Sequence, residues 1–317
     1  MLHERVSPRT LGVARVWVFG LWAHRLLTEP FPEVGAMPLA VFEPIGVLRL
    51  LPAAIWPVVC TTPALEILRA ALLVGLGLVV LGVPGYRLLA PLVCLLVTLQ
   101  QGLVRGYGYV NHGELGLLYA AWVLACFPAA DALALRRRPA RRADPVMYAA
   151  PMRIVAGVLA VVYAFIGIRR LVAGAPAVFV DGAILRWAAL RSLQGGVGEG
   201  YGADAVATPW MAAVLVAGFP LVTVLEALAP LCLTSARFRW VWLGVMVPFH
   251  LATRAVLQIF FRYNLLLLPL FFTDVERWLG RLHPGGTECE ATEDGEHGRD
   301  PLRAAGPGRV DHARLPG

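Results

Sequence analysis

The sequence has 317 residues, of which 58% are hydrophobic and only 15% charged, with a mean hydropathy of +0.67. A soluble domain carries about 25% charged residues, so a disordered chain, a collagen-like repeat or a small disulfide scaffold is excluded as the main body. The formal net charge is +7, and all 28 basic residues are arginine, which excludes lysine chemistry of any kind.

Eight apolar segments follow one another, near 11–28, 65–83, 87–104, 115–135, 147–171, 209–233, 239–259 and 262–280. Each has the length a helix needs to cross a hydrocarbon core. The first is not read as a signal peptide, because Arg15 interrupts it and no small-residue cleavage site follows. Residues 36–59 are apolar but broken by Pro38, Pro44, Pro52 and Pro57, which predicts an interfacial or re-entrant stretch rather than another span. No internal repeat is visible, which argues against an inverted-repeat transporter.

The expected fold is therefore an all-α integral membrane protein, a multi-pass bundle of about eight transmembrane helices over residues 1–282. Residues 283–317 are rich in Gly, Pro and charge, and read as a disordered tail. The arginines flank apolar runs instead of forming one basic stripe, so the expected partner is the lipid bilayer and not nucleic acid. The connection RRRPARR (136–142) carries five of them and should be cytoplasmic, which puts both termini on the cytoplasmic side of a cell membrane.

Polar groups at membrane depth are costly, so they face the bundle interior and find partners. His250, Arg254 and Gln258 recur every four residues and share one helical face. Glu226, in the preceding span, is the expected counter-charge for Arg254. Two readings stay open there: a polar pocket whose imidazole carries a proton, or an interhelical ion pair that only fixes packing. Asn111 and His112 open the fourth span and are read first as a helix cap. Arg169 and Arg170 close the fifth, where snorkelling to the headgroups is the default. The five cysteines include no CxxC pair, and no HExxH, histidine-box, GxSxG or Walker A motif occurs, so no metal site is expected.

Four segments, in order, resemble the membrane region of the vitamin K-dependent gamma-carboxylases and the bacterial HTTM-domain proteins. LGVPGYRLLAPLVCLL (81–96) is similar to that family's Gly-Tyr-Arg turn, and VNHGELGLLYAAWVL (110–124) to its Asn-His motif. VVYAFIGIRRL (161–171) resembles the segment bearing a Lys-Lys pair, and FHLATRAVLQIFFRYNLLLLPLFF (249–272) the Phe-His segment with the span after it. The resemblance implies a membrane cavity formed by Asn111, His112, Arg170, Glu226, His250 and Arg254. Its ligand would be a quinone or another lipid-soluble molecule, with His112 or His250 as the proton carrier.

One departure is decisive. The family's catalytic lysine falls on Arg170, and arginine cannot stand neutral as a base near working pH. The family's large C-terminal region also has no counterpart, a polar tail of about 35 residues following instead. Glutamate carboxylation is therefore not expected. The alternative from another class is a non-catalytic scaffold or interaction subunit.

Overall fold

The computed structural model describes residues 2–3, 6–108, 113–135, 145–172, 182–194 and 201–282, and among these there is no β-strand. Helix α1 (Pro8–Thr28) starts where the Ser7 hydroxyl accepts a hydrogen bond from the Thr10 amide at 3.2 Å, with proline in the first turn. Four 3-10 turns between Phe31 and Ile55 and the short α2 (Trp56–Val59) then occupy the proline-broken stretch. These turns follow from the prolines, which cannot donate the amide bonds of a continuous helix.

Helix α3 (Thr62–Leu81) is capped by Thr61 and stops at Gly82 in the left-handed conformation, φ +64°. A side chain at Gly82 would collide with the guanidinium of Arg15, which is wholly buried and donates to the Leu133 carbonyl at 2.6 Å. There follow α4 (Tyr86–Gly106), α5 (Leu115–Ala125), α6 (Pro145–Val172), α7 (Ala183–Gln194), α8 (Gly202–Ala207) and α9 (Pro209–Ala227). A 3-10 turn (Ala229–Leu233) leads to α10 (Ala236–Leu257), α11 (Arg262–Phe272) and α12 (Val275–Leu282).

Among the described residues, five helices are long and apolar enough to cross a membrane: α3, α4, α6 (over Val146–Val172), α9 and α10. In α9 only 17% of the most apolar window is buried, and in α3 only 22%. The rest of that surface points outward, an arrangement water would penalise and lipid tails accept. The class is thus an all-α membrane protein.

The expected number of eight spans is not reached on these criteria. α5 and α11 have 11 residues each. At 1.5 Å per residue either one covers about half of a hydrocarbon core. α5 gives way to turns around Pro128. α1 has 21 residues, but Arg9, Arg15 and Arg25 lower its hydropathy.

The core lies where α1, α4, α5, α6, α10 and α11 meet, around the fully buried Trp22, Trp242, Phe19, Phe271 and Phe272. Two of the buried aromatics donate to neighbouring carbonyls: Trp242 Nε1 to Leu225 at 3.0 Å and Tyr86 Oη to Leu124 at 2.9 Å. The chain divides by contacts into Met1–Arg277 and Trp278–Gly317. Of the second unit only the end of α12 is described. The expectations for residues 283–317, for Asn111 and His112, and for the RRRPARR connection lie outside the described residues.

Candidate intramembrane cleft

The first polar site is built on α6. Tyr163, Gly167 and Arg170 follow at intervals of four and three residues, so they share one face. Gly167 has no side chain to hold α9 away: a Cβ there would lie 2.3 Å from the Ala227 amide nitrogen and 2.7 Å from the Thr223 carbonyl. The two helix backbones therefore touch, as small residues allow between membrane helices.

This close approach brings Arg170 Nη1 to 2.5 Å from Glu226 Oε2. Glu226 is buried, whereas the Arg170 side chain stays 34% exposed, with its guanidinium over the Phe219 ring at 5.4 Å. The expected Glu226–Arg254 pair is thereby corrected: the partner of Glu226 is Arg170. Helical periodicity gave the face of α10 on which Arg254 lies, but not the neighbour that meets it. Arg254 is exposed and lines a different cavity. Gln258 has left the helix altogether, in a left-handed cap at φ +56°.

His250 does belong to the first site. Its Nε2 lies 2.7 Å from Tyr163 Oη, and either atom can be the donor. Trp242 meets the Tyr163 ring edge-on at 5.1 Å, and Phe261 meets the His250 ring at 5.7 Å. From α11, the buried Oδ1 of Asn264 faces the same region with no hydrogen-bond partner among the described residues.

These groups surround a cleft of about 800 Å³ between α5, α6, α9 and α11. Its walls are apolar, including Leu159, Ile166 and Phe219, while Tyr163, Arg170 and Asn264 supply polar atoms and the exposed Arg169 adds a second charge to the lining. Tyr119, Val161 and Phe165 also line it and are exposed on the helix flanks. The mouth thus opens sideways, on the surface that lipid would cover. His250 and Glu226 do not line the cleft; they stand behind Tyr163 and Arg170 and hold them.

Sequence reasoning missed Tyr163 and Asn264. Tyrosine in an apolar run reads as core, and Asn264 stands alone in RYNLLLL; its one signal was the cost of an amide at membrane depth.

The second polar site joins α1, α4, α5 and α11. Arg25 Nε is 2.6 Å from Glu29, Arg25 Nη2 is 3.3 Å from Glu114, and Arg262 Nη2 is 2.8 Å from Glu29. Arg105 Nη2 lies 3.7 Å from Glu114. Burial pushes the Glu114 carboxyl above the usual range, and Arg25 pulls it back. A cavity of about 280 Å³ is lined here by Glu29, Glu114, Arg254, Phe260, Arg262 and Tyr263. Among the described residues, no three His, Cys, Asp or Glu side chains gather as a metal site needs.

Fold and site together define a helical membrane protein with a lateral, polar-ended cleft. Compared with known proteins, the chain matches no family model, no curated protein and no solved structure.

Proposed function

We propose that this chain is an HTTM-type protein of the cell membrane whose cleft takes a quinone-like or other lipid-soluble ligand from the bilayer. The observation that carries this reading is the shape of the cleft: a sideways apolar mouth leading to Tyr163, Arg170 and Asn264. An amphiphile with a ring or tail and one oxygen-bearing head fits such a lining, since apolar walls supply affinity and a few polar atoms fix orientation. Arg170 and the Tyr163 hydroxyl would donate to the head's oxygen, and His250 is the group able to exchange a proton with Tyr163.

Arg170 stands where the resembled family has its lysine, and its permanent charge suits it to hold an anionic oxygen rather than to act as a base. Support for the family reading also comes from His250 and Arg170, two positions carried over from the resemblance, meeting at one site. The proposed orientation keeps both termini in the cytoplasm, on the arginine count of the 136–142 connection. Protease cleavage of that connection in inside-out but not right-side-out vesicles is the expected result; the reverse pattern overturns the orientation.

A second reading, a non-catalytic scaffold, is favoured by one observation. Arg170 with Glu226, and Tyr163 with His250, already satisfy each other. Mass spectrometry of small molecules retained in native-lipid nanodiscs separates the two. The wild type should carry an enriched quinone-like lipid, reduced about thirtyfold in a folded Tyr163→Phe/Asn264→Ala variant, as expected for losing two hydrogen bonds of about 1 kcal/mol each. If both proteins hold only bulk lipid, the cleft reading fails and the scaffold reading stands.

A further inference from the structure

We infer that the arginine-rich cavity at the α1–α5–α11 end binds a phosphate group, carried by a lipid headgroup or by a water-soluble phosphate. Arg254 and Arg262 line it, with the carboxylates Glu29 and Glu114, and both carboxylates are already engaged from behind by Arg25 and Arg105. Over this whole network, four guanidiniums against two carboxylates, side-chain charge is positive by two. Backbone dipoles trim this excess without cancelling it: α5 and α11 begin here while α1, α4 and α10 end here, a net partial charge of about −0.5.

The second observation is the state of the donors. Tyr263 lines the cavity, is only 4% exposed, and its hydroxyl reaches no acceptor among the described residues, the group beside it being the Arg262 guanidinium, itself a donor. Arg25, 3% exposed, stands behind the cavity wall, where Glu29 and Glu114 engage two of its nitrogens. Buried donors without an acceptor are costly, and water could supply an acceptor but not a counter-charge. An anion with several oxygens supplies both.

Arg254 reaches the cavity from α10 and makes no ion pair among the described residues, and Arg262 lies beside it with its guanidinium over the Tyr263 ring at 4.8 Å. Forked guanidiniums matched to tetrahedral oxygens are the usual means of holding phosphate. A phosphate monoester also carries about −1.5 to −2 at neutral pH, which balances the excess. The space of about 280 Å³ is roughly nine times what a water occupies in the liquid, enough for a phosphate and the first atoms of its ester. This site does not depend on the reading of the cleft.

The test uses the full chain in a phosphate-free maltoside detergent, with thermal unfolding followed by tryptophan fluorescence. Inorganic phosphate is compared with chloride at matched ionic strength, and dihexanoyl phosphatidic acid with dihexanoyl phosphatidylcholine. Phosphate, phosphatidic acid or both should raise the midpoint by several degrees relative to their controls. Arg254→Gln, an exposed position, should fold normally and weaken the response about tenfold; Tyr263→Phe should weaken it less. A response to phosphatidic acid alone identifies a lipid headgroup as the ligand, and a response to both identifies the phosphate group whatever carries it. No shift beyond the controls, or an Arg254→Gln protein that responds like the wild type, overturns the inference.

Discussion

The cleft and the bundle-end cavity draw on the same residue types, arginine, glutamate and tyrosine, and differ in how their charges are paired. In the cleft Arg170 meets one glutamate at 2.5 Å and the tyrosine has a histidine partner, while Arg169, the other charge on the lining, is exposed at the rim. At the bundle end two carboxylates are shared among several guanidiniums, and a tyrosine hydroxyl is left over. Composition therefore does not decide what such a site can hold. The number of counter-charges within reach does, together with how closely the helices approach. Both sites lie near helix ends, Arg170 in the last turn of α6 and Glu226 in the last turn of α9, but only at the cleft does a glycine let two backbones touch and close one pair.

The comparison is tested most strongly at the cleft pair. Arg170→Ala leaves the buried Glu226 carboxylate without its partner and should destabilise by about 3 kcal/mol, the low end for a broken buried pair because Arg170 itself is about one-third exposed. Adding Glu226→Gln removes the stranded charge and should recover part of that loss. Thermal unfolding in detergent reads both, and a double variant no more stable than Arg170→Ala would show that the two residues are not coupled.

A smaller change asks whether helix proximity creates the pair. Gly167→Ala puts a methyl into the α9 backbone, so α6 must move away, at about 1–3 kcal/mol for overpacking. The same shift should lengthen the Arg170–Glu226 contact. Combined with Arg170→Ala, the two losses should add to less than their sum. Full additivity would mean that Gly167 and the ion pair act independently.

How much of this was legible in the sequence depended on the physical signal each residue carries. The helical class was plain from apolar run lengths, and the proline-broken stretch before α3 was recognisable because proline acts locally. Glu226, Arg170 and His250 were conspicuous because charge in an apolar run is expensive. Their pairing was not, since i,i+4 spacing defines a face and cannot choose between neighbours on other helices; hence Arg254 was assigned to Glu226, although Gly167 brings Arg170 there instead. Tyr163 carries no cost signal at all, because its ring belongs in a core and only its partner reveals the hydroxyl's role. The bundle-end network was invisible for a related reason. Arg25 and Glu29 are four residues apart, but Glu114 and Arg262 lie far from them in sequence, and each of the four looks like an ordinary helix-end charge.

The smallest expected effect is at that network, and it is the one that separates pairing from burial. Arg262 and Glu29 sit 2.8 Å apart, but their side chains are 32% and 30% exposed, so water already solvates both. Arg262→Gln should therefore cost only about 0.5 kcal/mol in phosphate-free buffer, as exposed pairs do. About 1 M salt, where the screening length falls to about 3 Å, should erase even that difference. The Arg170–Glu226 pair, with its carboxylate buried, should keep most of its contribution under the same salt. Unfolding midpoints of the two variants at low and high salt give the answer directly. If Arg262→Gln instead loses several kcal/mol and ignores salt, the bundle end is as dry and tightly coupled as the cleft. The excess charge there would then be a structural burden rather than a means of holding an anion.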